Sequence, residues 1–361
     1  MNPISESSID EQIRKFSIKS LRGFSTVLVF GIGRRLGIFD FLENKAEHLK
    51  KIEKVSSITF NFDELADHLK FNYKYLEAWL HMAIECGIFE RENSFEKSFR
   101  TAPFVYDILV NQKSGFYTGN LLGCFYYTAL FQEAMFKNFT SGKTGTWFDL
   151  PPNWYKDGQL MSGQQGAAME KLFGKHFKNF KKKIKKSGTI LEVGCGYGFN
   201  LEHWAKKYKK AYIIGIDIDP SAIRFARENI KKNNLDENVE IKKISVKDYL
   251  KENKETFDLI ILNQVLHEMD PREDFRKEIL EDLYLLLKDD GILLVGESMV
   301  SDVFTVEDKY QFYEVMHKWF EVVFGFRFYN ESSFKELILS TSFTQAKLIR
   351  DGFDYIWIVR R

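Results

Sequence analysis

Near the middle of the chain the sequence reads Leu191-Glu192-Val193-Gly194-Cys195-Gly196-Tyr197-Gly198. A short apolar run typical of a buried strand leads into three glycines at alternating positions. Glycine lets a chain turn sharply and brings its backbone close to a ligand at the carboxyl end of a strand. This stretch therefore predicts a ligand-binding loop in an α/β fold.

The spacing of the glycines narrows the kind of ligand. A dinucleotide fingerprint needs a third glycine at position 199, where this chain has Phe199, and no P-loop lysine follows. Glu192 stands two positions before the first glycine. A carboxylate there repels a pyrophosphate and suits an ammonium group. The loop is thus predicted to bind a cationic ligand.

A second acidic residue follows the next predicted strand. Asp217 lies in Gly-Ile-Asp-Ile-Asp-Pro, about 20 residues after the glycines. A carboxylate at that place accepts the hydroxyls of a ribose in nucleotide-binding doubly wound sheets. A ribose without phosphate, together with an ammonium group, describes S-adenosylmethionine.

From residue 187 onward, short β-rich runs alternate with helical segments. Such alternation predicts a mostly parallel sheet with helices on both faces. The last two runs, around Asp351 and Gly352, predict an antiparallel hairpin at or near one edge. The fold class is therefore α/β, a doubly wound, Rossmann-like sheet of seven strands.

The first half is predicted to be mainly helical. Residues 61–99 show a helix, a turn, a second helix and a small hairpin, the order of a winged helix. The second helix carries Tyr73, Tyr75 and Trp79 but only Lys74 as a cation, whereas reading base edges requires Arg, Lys, Asn or Gln. We expect packing or dimerisation there. The predicted domains are 1–165, a helical, winged-helix dimerisation and lid domain, and 166–361, the ligand-binding domain.

Composition excludes several classes of protein. The chain has 361 residues with 52 Lys and Arg against 51 Asp and Glu, so no global basic field exists to hold nucleic acid. Three cysteines are too few for a disulfide framework and fit a reducing cytoplasm. The polar N-terminus and short apolar runs indicate a soluble, cytoplasmic protein with neither membrane nor nucleic-acid partners.

The two motifs together resemble those of class I S-adenosylmethionine-dependent methyltransferases. With the winged-helix segment and Gly-Arg-Arg-Leu-Gly-Ile-Phe-Asp-Phe-Leu at 33–42, the chain is similar to small-molecule O-methyltransferases that have an N-terminal dimerisation domain. The resemblance implies S-adenosyl-L-methionine as cofactor, a small-molecule acceptor and a homodimer.

By position, the resemblance also implies the cofactor contacts. Glu192 and the glycines would hold the methionine end and Asp217 the ribose, while Ser245 stands where the family often has Asp, which weakens the adenine assignment. Asp248 has an alternative role as a helix cap. The predicted cofactor residues are Glu192, Gly194, Cys195, Gly196, Asp217, Ile218, Val246, Asp248, Asn263 and Gln264.

His267 is the predicted general base. Imidazole titrates near neutrality and can take the proton of a hydroxyl as the oxygen becomes a nucleophile. Glu297 and Glu331 match positions where the subfamily places acids that orient this base, although each could be a cap or a solvated side chain. Methyl transfer also depends on positioning, so the base is not obligatory for every acceptor.

The acceptor pocket is expected between the two halves, with an apolar or flat acceptor. Each candidate residue could equally be plain core. No histidine shows metal-ligand spacing, and paired acids are missing at the end of the fourth strand, so no metal is expected. The candidates are Phe125, Trp147, Trp154, Met161, Tyr313, Met316 and Phe320.

The sequence thus predicts methyl transfer to a hydroxyl of a small, apolar or aromatic acceptor. An N- or C-methyltransferase of similar architecture is the first alternative. A winged-helix regulator that senses S-adenosylmethionine is the second.

Overall fold

The structure, a computed structural model, divides into two compact units, Met1–Gln132 (the N-terminal unit) and Glu133–Arg361 (the C-terminal unit). Predicted acceptor residue Trp147 lies outside the residues that the structure describes. These residues are 8–49, 56–93, 97–128, 136, 139–142, 152–253, 255–304, 312–351 and 354–361.

The N-terminal unit is mainly helical and contains one small antiparallel sheet, in the order β1-β3-β2. The helix pair α4 and α5 precedes the β2–β3 hairpin, which is the winged-helix order expected from the sequence. Its elements are α1 Ile9–Ile13, α2 Ser20–Arg35, α3 Ile38–Leu49, β1 Thr59–Asn61, α4 Phe62–Leu69, α5 Tyr73–Glu85, β2 Phe89–Asn93, β3 Ser98–Thr101 and α6 Gly119–Thr128, with π-helical segments at Arg14–Lys19 and Tyr106–Val110.

Local capping and aromatic burial hold this unit together. The side chain of Asn61 accepts hydrogen bonds from the first turn of α4, and that of Asn72 does the same for α5. Phe30, Phe60 and Phe89 are fully buried in one apolar core. The high aromatic content of this half is thus largely accounted for by packing.

The C-terminal unit contains a seven-stranded sheet in the order β6-β5-β4-β7-β8-β10-β9. The first five strands in this order are parallel, and the β9–β10 hairpin is antiparallel. This confirms the predicted sheet. Its elements are α7 Pro152–His176, α8 Lys178–Ser187, β4 Thr189–Val193, α9 Phe199–Lys207, β5 Tyr212–Asp217, α10 Pro220–Lys232, β6 Val239–Lys243, α11 Val246–Glu252, β7 Phe257–Asn263, α12 Glu273–Leu286, β8 Leu287–Gly296, α13 Phe312–Glu321, α14 Glu331–Leu339, β9 Gln345–Asp351 and β10 Asp354–Arg360.

Both faces of this sheet are covered, because successive strand residues point in opposite directions. In β4, Leu191 belongs to the apolar core beneath α11, α12 and α14, while Ile190 belongs to the core beneath α7, α9 and α10. The parallel strands are therefore buried on both sides and read as continuous apolar runs.

Helix α7 spans the domain boundary that the sequence predicts at 165/166. The helix runs without a break from Pro152 to His176, and its residues Met169, Leu172 and Phe173 pack into the core of the C-terminal unit. A boundary inside this helix would split a continuous packing surface. The compact units instead divide at Gln132.

The strand order places the site. From β4 the chain proceeds to β5 and β6 in one direction and then continues with β7 and β8 on the other side of β4. Ligands of such sheets bind in the crevice at the carboxyl ends of the strands where the order reverses. That crevice lies between the loops that follow β4 and β7. Within the described ranges, no helix is long and apolar enough to cross a membrane.

Candidate active site

The glycine loop after β4 is shaped by positive φ angles and by close neighbours. Gly194 has a φ of 66°, and a side chain there would collide with Val265, which follows β7. The N–H of Gly196 donates to Oδ2 of Asp217 over 2.9 Å. The N–H of Tyr197 donates to Oε1 of Gln159 on α7 over 3.0 Å. These contacts fix the loop between the two motifs that the sequence singled out.

Glu192 lies at the base of this loop and is buried. Its Oε1 accepts a hydrogen bond of 2.7 Å from Nδ2 of Asn200, whereas its Oε2 has no partner among the described residues. Burial raises the pKa of Glu192 to about 8, although the Asn200 hydrogen bond opposes this shift. A buried carboxylate oxygen without a partner fits an incoming ammonium group.

Asp217 ends β5 and is half-buried. Its Oδ1 accepts from the N–H of Asp219 over 2.9 Å, and burial raises its pKa although the backbone N–H donors oppose this. Each carboxylate oxygen can accept a second hydrogen bond, so ribose hydroxyls can still bind. Ile218 beside it is exposed. Together with Glu192, this geometry fits the ribose and ammonium of S-adenosyl-L-methionine.

The residues proposed for adenine lie at the start of α11. Val246 is buried, whereas Asp248 is exposed and binds Lys251 at 2.8 Å. Ser245 caps the helix by accepting from the N–H of Asp248, and its hydroxyl donates to the Asp248 carboxylate over 2.7 Å. Asp248 therefore forms hydrogen bonds at the N-terminus of α11, in line with the alternative role of a residue in the helix cap.

Three further predicted cofactor residues line the carboxyl ends of the strands. The buried Asn263 donates from Nδ2 to the carbonyl of Ser162 over 2.9 Å, and its Oδ1 has no partner within the described part of the chain. Gln264 adopts a φ of 54° and donates its N–H to Gly296. Cys195 is buried, which raises the pKa of its thiol, so the thiol is neutral at physiological pH.

His267 lies on a short 3₁₀ turn, Leu266–Glu268, directly after β7. Its Nδ1 is 2.6 Å from Oε2 of Glu297, which follows β8. Oε1 of Glu297 accepts from the N–H groups of Val265 and Leu266 over 2.9 and 2.5 Å. Glu297 therefore holds both the backbone and the ring of the predicted base.

The second acid at His267 is not the one expected. Nε2 of His267 is 3.0 Å from Oε2 of Glu321, the last residue of α13. Glu331 lies at the start of α14 and instead forms an ion pair with Arg350. The same Glu321 oxygen is 2.9 Å from Nε2 of His317, one helical turn earlier. The structure thus brings Glu297 and Glu321 to His267, and places Glu331 elsewhere.

The charges of this cluster depend on one another. Burial alone lowers the pKa of His267, but Glu297 and Glu321 outweigh burial and raise that pKa well above its usual value. For Glu321, burial raises the pKa, but His317 and His267 outweigh it and lower the pKa to about 2. At neutral pH the ring of His267 is therefore protonated and Glu321 is ionised.

A buried arginine fixes the backbone of this turn. Arg276 on α12 donates from Nη2 to the carbonyl oxygens of His267 and Met269, over 3.0 and 3.1 Å. Its Nη1 donates to the carbonyl oxygen of Arg327 over 3.0 Å. The position of His267 is thus set by contacts from three separate segments of the C-terminal unit.

The predicted acceptor residues differ in burial. In the C-terminal unit, Trp154 is buried, Met161, Met316 and Phe320 are half-buried, and Tyr313 is exposed. Phe125 is half-buried and belongs to the N-terminal unit. Their common role at an acceptor pocket stays a prediction.

Several residues at the site were missed by sequence reasoning. The spacing of His317 and Glu321, four residues apart, puts them on one helix face and was a usable signal. Asn200 lies eight positions after Glu192 and Ser298 directly after Glu297, whereas Gln159 contacts the glycine loop across 38 positions and carries no local signal. The missed residues are Gln159, Asn200, Ser298, His317 and Glu321.

Part of the chain is similar in sequence to known methyltransferases. Residues 184–340 match a family model described as a methyltransferase domain. A ribosomal protein L11 methyltransferase of Thermotoga neapolitana is 36% identical over 124 residues, which cover 34% of this chain and 44% of that protein. An erythromycin 3''-O-methyltransferase of Saccharopolyspora erythraea is 34% identical over 121 residues, covering 33% and 38%. The match thus spans less than half the length of these relatives.

Solved structures resemble the chain over almost its whole length. An O-methyltransferase family protein from Burkholderia thailandensis has a TM-score of 0.69 at 14% identity and covers 98% of both chains. Human N-acetylserotonin methyltransferase, solved with S-adenosylmethionine, has a TM-score of 0.65 at 16% identity and covers 99% of both chains. At these identities the likeness concerns the fold.

The family model describes a methyltransferase domain, and the site fits its cofactor. Glu192 is buried beside the glycine loop, and Asp217 can accept hydrogen bonds from ribose hydroxyls. S-adenosyl-L-methionine is the cofactor of this domain. Residues 184–340 therefore form a methyltransferase domain.

Proposed function

We propose that this protein methylates a hydroxyl oxygen of a small, apolar or aromatic acceptor, with His267 as general base. The observation that carries the proposal is the pairing of His267 with Glu297 at 2.6 Å, on the turn that packs against the glycine loop. Val265 connects the His267 turn to the glycine loop, since it lies two residues before His267 and packs against Gly194.

The residues that would hold the cofactor are Glu192 for the ammonium group and Asp217 for the ribose. When bound, S-adenosyl-L-methionine supplies a methyl group on a positively charged sulfur. A hydroxyl is a poor nucleophile until its proton leaves. The chemical task of this chain is therefore to position the acceptor and to take that proton.

His267 takes the hydroxyl proton on Nε2, while Glu297 accepts the hydrogen bond from Nδ1–H and stabilises the imidazolium that forms. Nε2 now faces Glu321, so the acceptor hydroxyl has to replace this carboxylate as the hydrogen-bond partner. The ring must also be neutral beforehand. Activity is therefore expected to rise with pH above neutrality.

The nature of the acceptor is inferred from aromatic and apolar side chains near α7 and α13. Met161 and Phe320 are half-buried, and Trp154 is buried. The erythromycin relative is named for O-methylation of a small molecule, which favours the same acceptor class. The L11 relatives are named for a ribosomal protein, which makes a protein acceptor the second candidate.

We also propose a homodimer. In the N-terminal unit, large apolar side chains along α1, the π-helical segment and α2 are exposed, including Ile13, Phe16, Leu21 and Phe24. Monomeric soluble proteins rarely expose such contiguous apolar surface. A second copy that covers these residues explains their exposure.

The test combines cofactor binding with an acceptor screen. Calorimetric titration with S-adenosylhomocysteine is followed by methyl-release assays on phenols, hydroxy acids, amines and a ribosomal protein preparation. The variants are His267→Gln and the control His176→Gln, an exposed residue at the end of α7. We expect turnover of a phenol by the wild type and the control only. Turnover of amines or protein alone, or full activity of His267→Gln, would contradict the proposal.

A further inference from the structure

The His267 cluster contains three possible metal-ligand atoms that lie close together. Oε2 of Glu321 is 3.0 Å from Nε2 of His267 and 2.9 Å from Nε2 of His317. All three ligand atoms lie within 4.8 Å of one another. His317 and Glu321 share a face of α13, and His267 comes from the turn after β7.

The other nitrogen of each ring is also held. Nδ1 of His267 is 2.6 Å from Glu297, and Nδ1 of His317 is 2.9 Å from Oγ of Ser298. Histidines that bind metals usually donate their second ring N–H to a carboxylate or another oxygen, which fixes the tautomer and aims the free nitrogen at the ion. Both histidines of the cluster have this arrangement.

The cluster carries an excess of negative charge in a buried place. His267 is 2% and Glu321 7% exposed, Glu297 is also buried, and Glu268 lies 4.0 Å from Nε2 of His267. Buried carboxylates need a counter-charge, which either protons on the imidazoles or a cation can supply. A divalent cation would balance the two carboxylates that contact His267, Glu297 and Glu321, with both rings uncharged.

The donor set decides which cation fits. Two imidazole nitrogens and one carboxylate oxygen suit Zn²⁺ and similar transition metals, whereas Mg²⁺ and Ca²⁺ prefer sites made of oxygen. Three protein ligands leave a fourth position open, as in catalytic zinc sites. No metal is expected from the sequence, because the other histidines show no metal-ligand spacing and paired acids are missing after the fourth strand. In the structure, His317 meets His267, which lies 50 residues earlier in the chain.

We propose that His267, His317 and Glu321 form a site for Zn²⁺ or a similar divalent transition metal, and that loading this site inhibits methyl transfer. The inhibitory part rests on the proposed function, because the metal takes the Nε2 lone pair that the base needs. Metal binding and proton acceptance are thus mutually exclusive at His267.

The test measures the metal separately from activity. The full chain is freed of metal with a chelator, titrated with Zn²⁺ by calorimetry in the absence of cofactor, and loaded with Co²⁺ for visible absorption. We expect one Zn²⁺ per chain, an intense Co²⁺ band and no comparable binding of Mg²⁺. His317→Ala should lose binding, whereas the control His176→Ala should keep it. Circular dichroism checks that both variants are folded.

Activity is then assayed with and without Zn²⁺. In wild type and His176→Ala, saturating Zn²⁺ should lower the rate by about 100-fold, the low end of what general bases contribute. The rate of His317→Ala, whatever its level without metal, should not change when Zn²⁺ is added. If the wild type shows no saturable Zn²⁺ binding, or if His317→Ala binds Zn²⁺ equally well, the proposed metal site is wrong. Zn²⁺ binding without inhibition overturns the regulatory part, and a protein with no methyl transfer at all refutes the proposed function while leaving the metal result intact.

Discussion

Glu297 Oε2 and His267 Nδ1 are 2.6 Å apart, although the two residues are separated by 30 positions in the chain. The pairing is possible because β7 and β8 are parallel neighbours whose carboxyl ends meet at one edge of the sheet. The carboxylate favours a proton on Nδ1 and leaves Nε2 facing Glu321.

Replacing His267 by Gln removes the proposed proton acceptor. We expect kcat to fall by about 10²- to 10⁴-fold, the range for a lost general base. Affinity for S-adenosylhomocysteine should stay unchanged, because the cofactor is proposed to bind at Glu192 and Asp217 and not at His267. Steady-state kinetics and calorimetry measure the two effects, with His176→Gln as control. A parallel loss of cofactor affinity would show that His267 acts through the fold of the site.

The pH dependence tests the role of Glu297. Glu297 and Glu321 raise the pKa of His267, so the neutral ring becomes more abundant as pH rises. Wild-type kcat/KM should therefore increase with pH above neutrality. Glu297→Gln keeps an oxygen for the N–H groups of Val265 and Leu266 but removes a charge. Its rising limb should move to lower pH, and a limb at unchanged pH would exclude His267 as the titrating group.

Asp217→Asn tests the ribose contact. The amide keeps one acceptor oxygen but loses the charge, and hydrogen bonds to charged groups are worth about 1.5–3 kcal/mol. S-adenosylhomocysteine affinity should fall by about 10- to 100-fold. Asp219→Asn is the matched control, since Asp219 caps α10 through Ser221. Equal losses in both variants would indicate damage to the loop rather than a lost ribose contact.

The variant Glu192→Gln tests whether Glu192 makes the free energy of unfolding depend on pH. The pKa of Glu192 is about 8 in the folded chain, against an ordinary value of 4.5, so the folded state holds a proton that the unfolded state has released. As the pH rises between these two values, the wild-type free energy of unfolding should therefore fall. The fall should exceed that of the variant by about 1.4 kcal/mol per pH unit. Urea denaturation at several pH values measures the difference.

The same variant should bind S-adenosylhomocysteine more weakly, because the ammonium group loses its carboxylate. Coinciding pH slopes for wild type and Glu192→Gln would mean that Glu192 is ionised in the free protein. Asn200→Ala provides a further check, since it removes the hydrogen bond that lowers the pKa of Glu192 and should extend the same fall in stability to higher pH.

The proposed dimer predicts sensitivity to charge on the exposed apolar surface of the N-terminal unit. Phe16→Asp with Phe24→Asp should convert the dimer to monomer in sedimentation velocity at micromolar concentration, because burying two carboxylates without partners is strongly unfavourable. Lys15→Asp is a control for charge alone, since Lys15 is already polar and exposed. A wild-type monomer would refute the dimer outright.

Local patterns were enough for the fold and for the cofactor motifs. The alternation of strands and helices, the glycines at 194, 196 and 198 and Asp217 after the next strand depend on residues close together in sequence. Their geometry follows from strand periodicity and from the shared edge of a parallel sheet. The structure places them as expected, with Gly196 and Asp217 joined by a hydrogen bond.

Tertiary structure alone decided which groups surround His267. The sequence favoured Glu331 because of its position relative to a motif, yet Glu331 pairs with Arg350, and Glu321 contacts the ring instead. His317 enters for the same reason. Their meeting depends on how α13 packs beside the carboxyl ends of β7 and β8, and a contact across 54 residues leaves no periodic signal in the chain. The sequence by itself thus determined the sheet and the cofactor loop, because these are set by neighbouring residues, whereas the charge and metal-binding capacity of the cluster arose only when distant segments packed together.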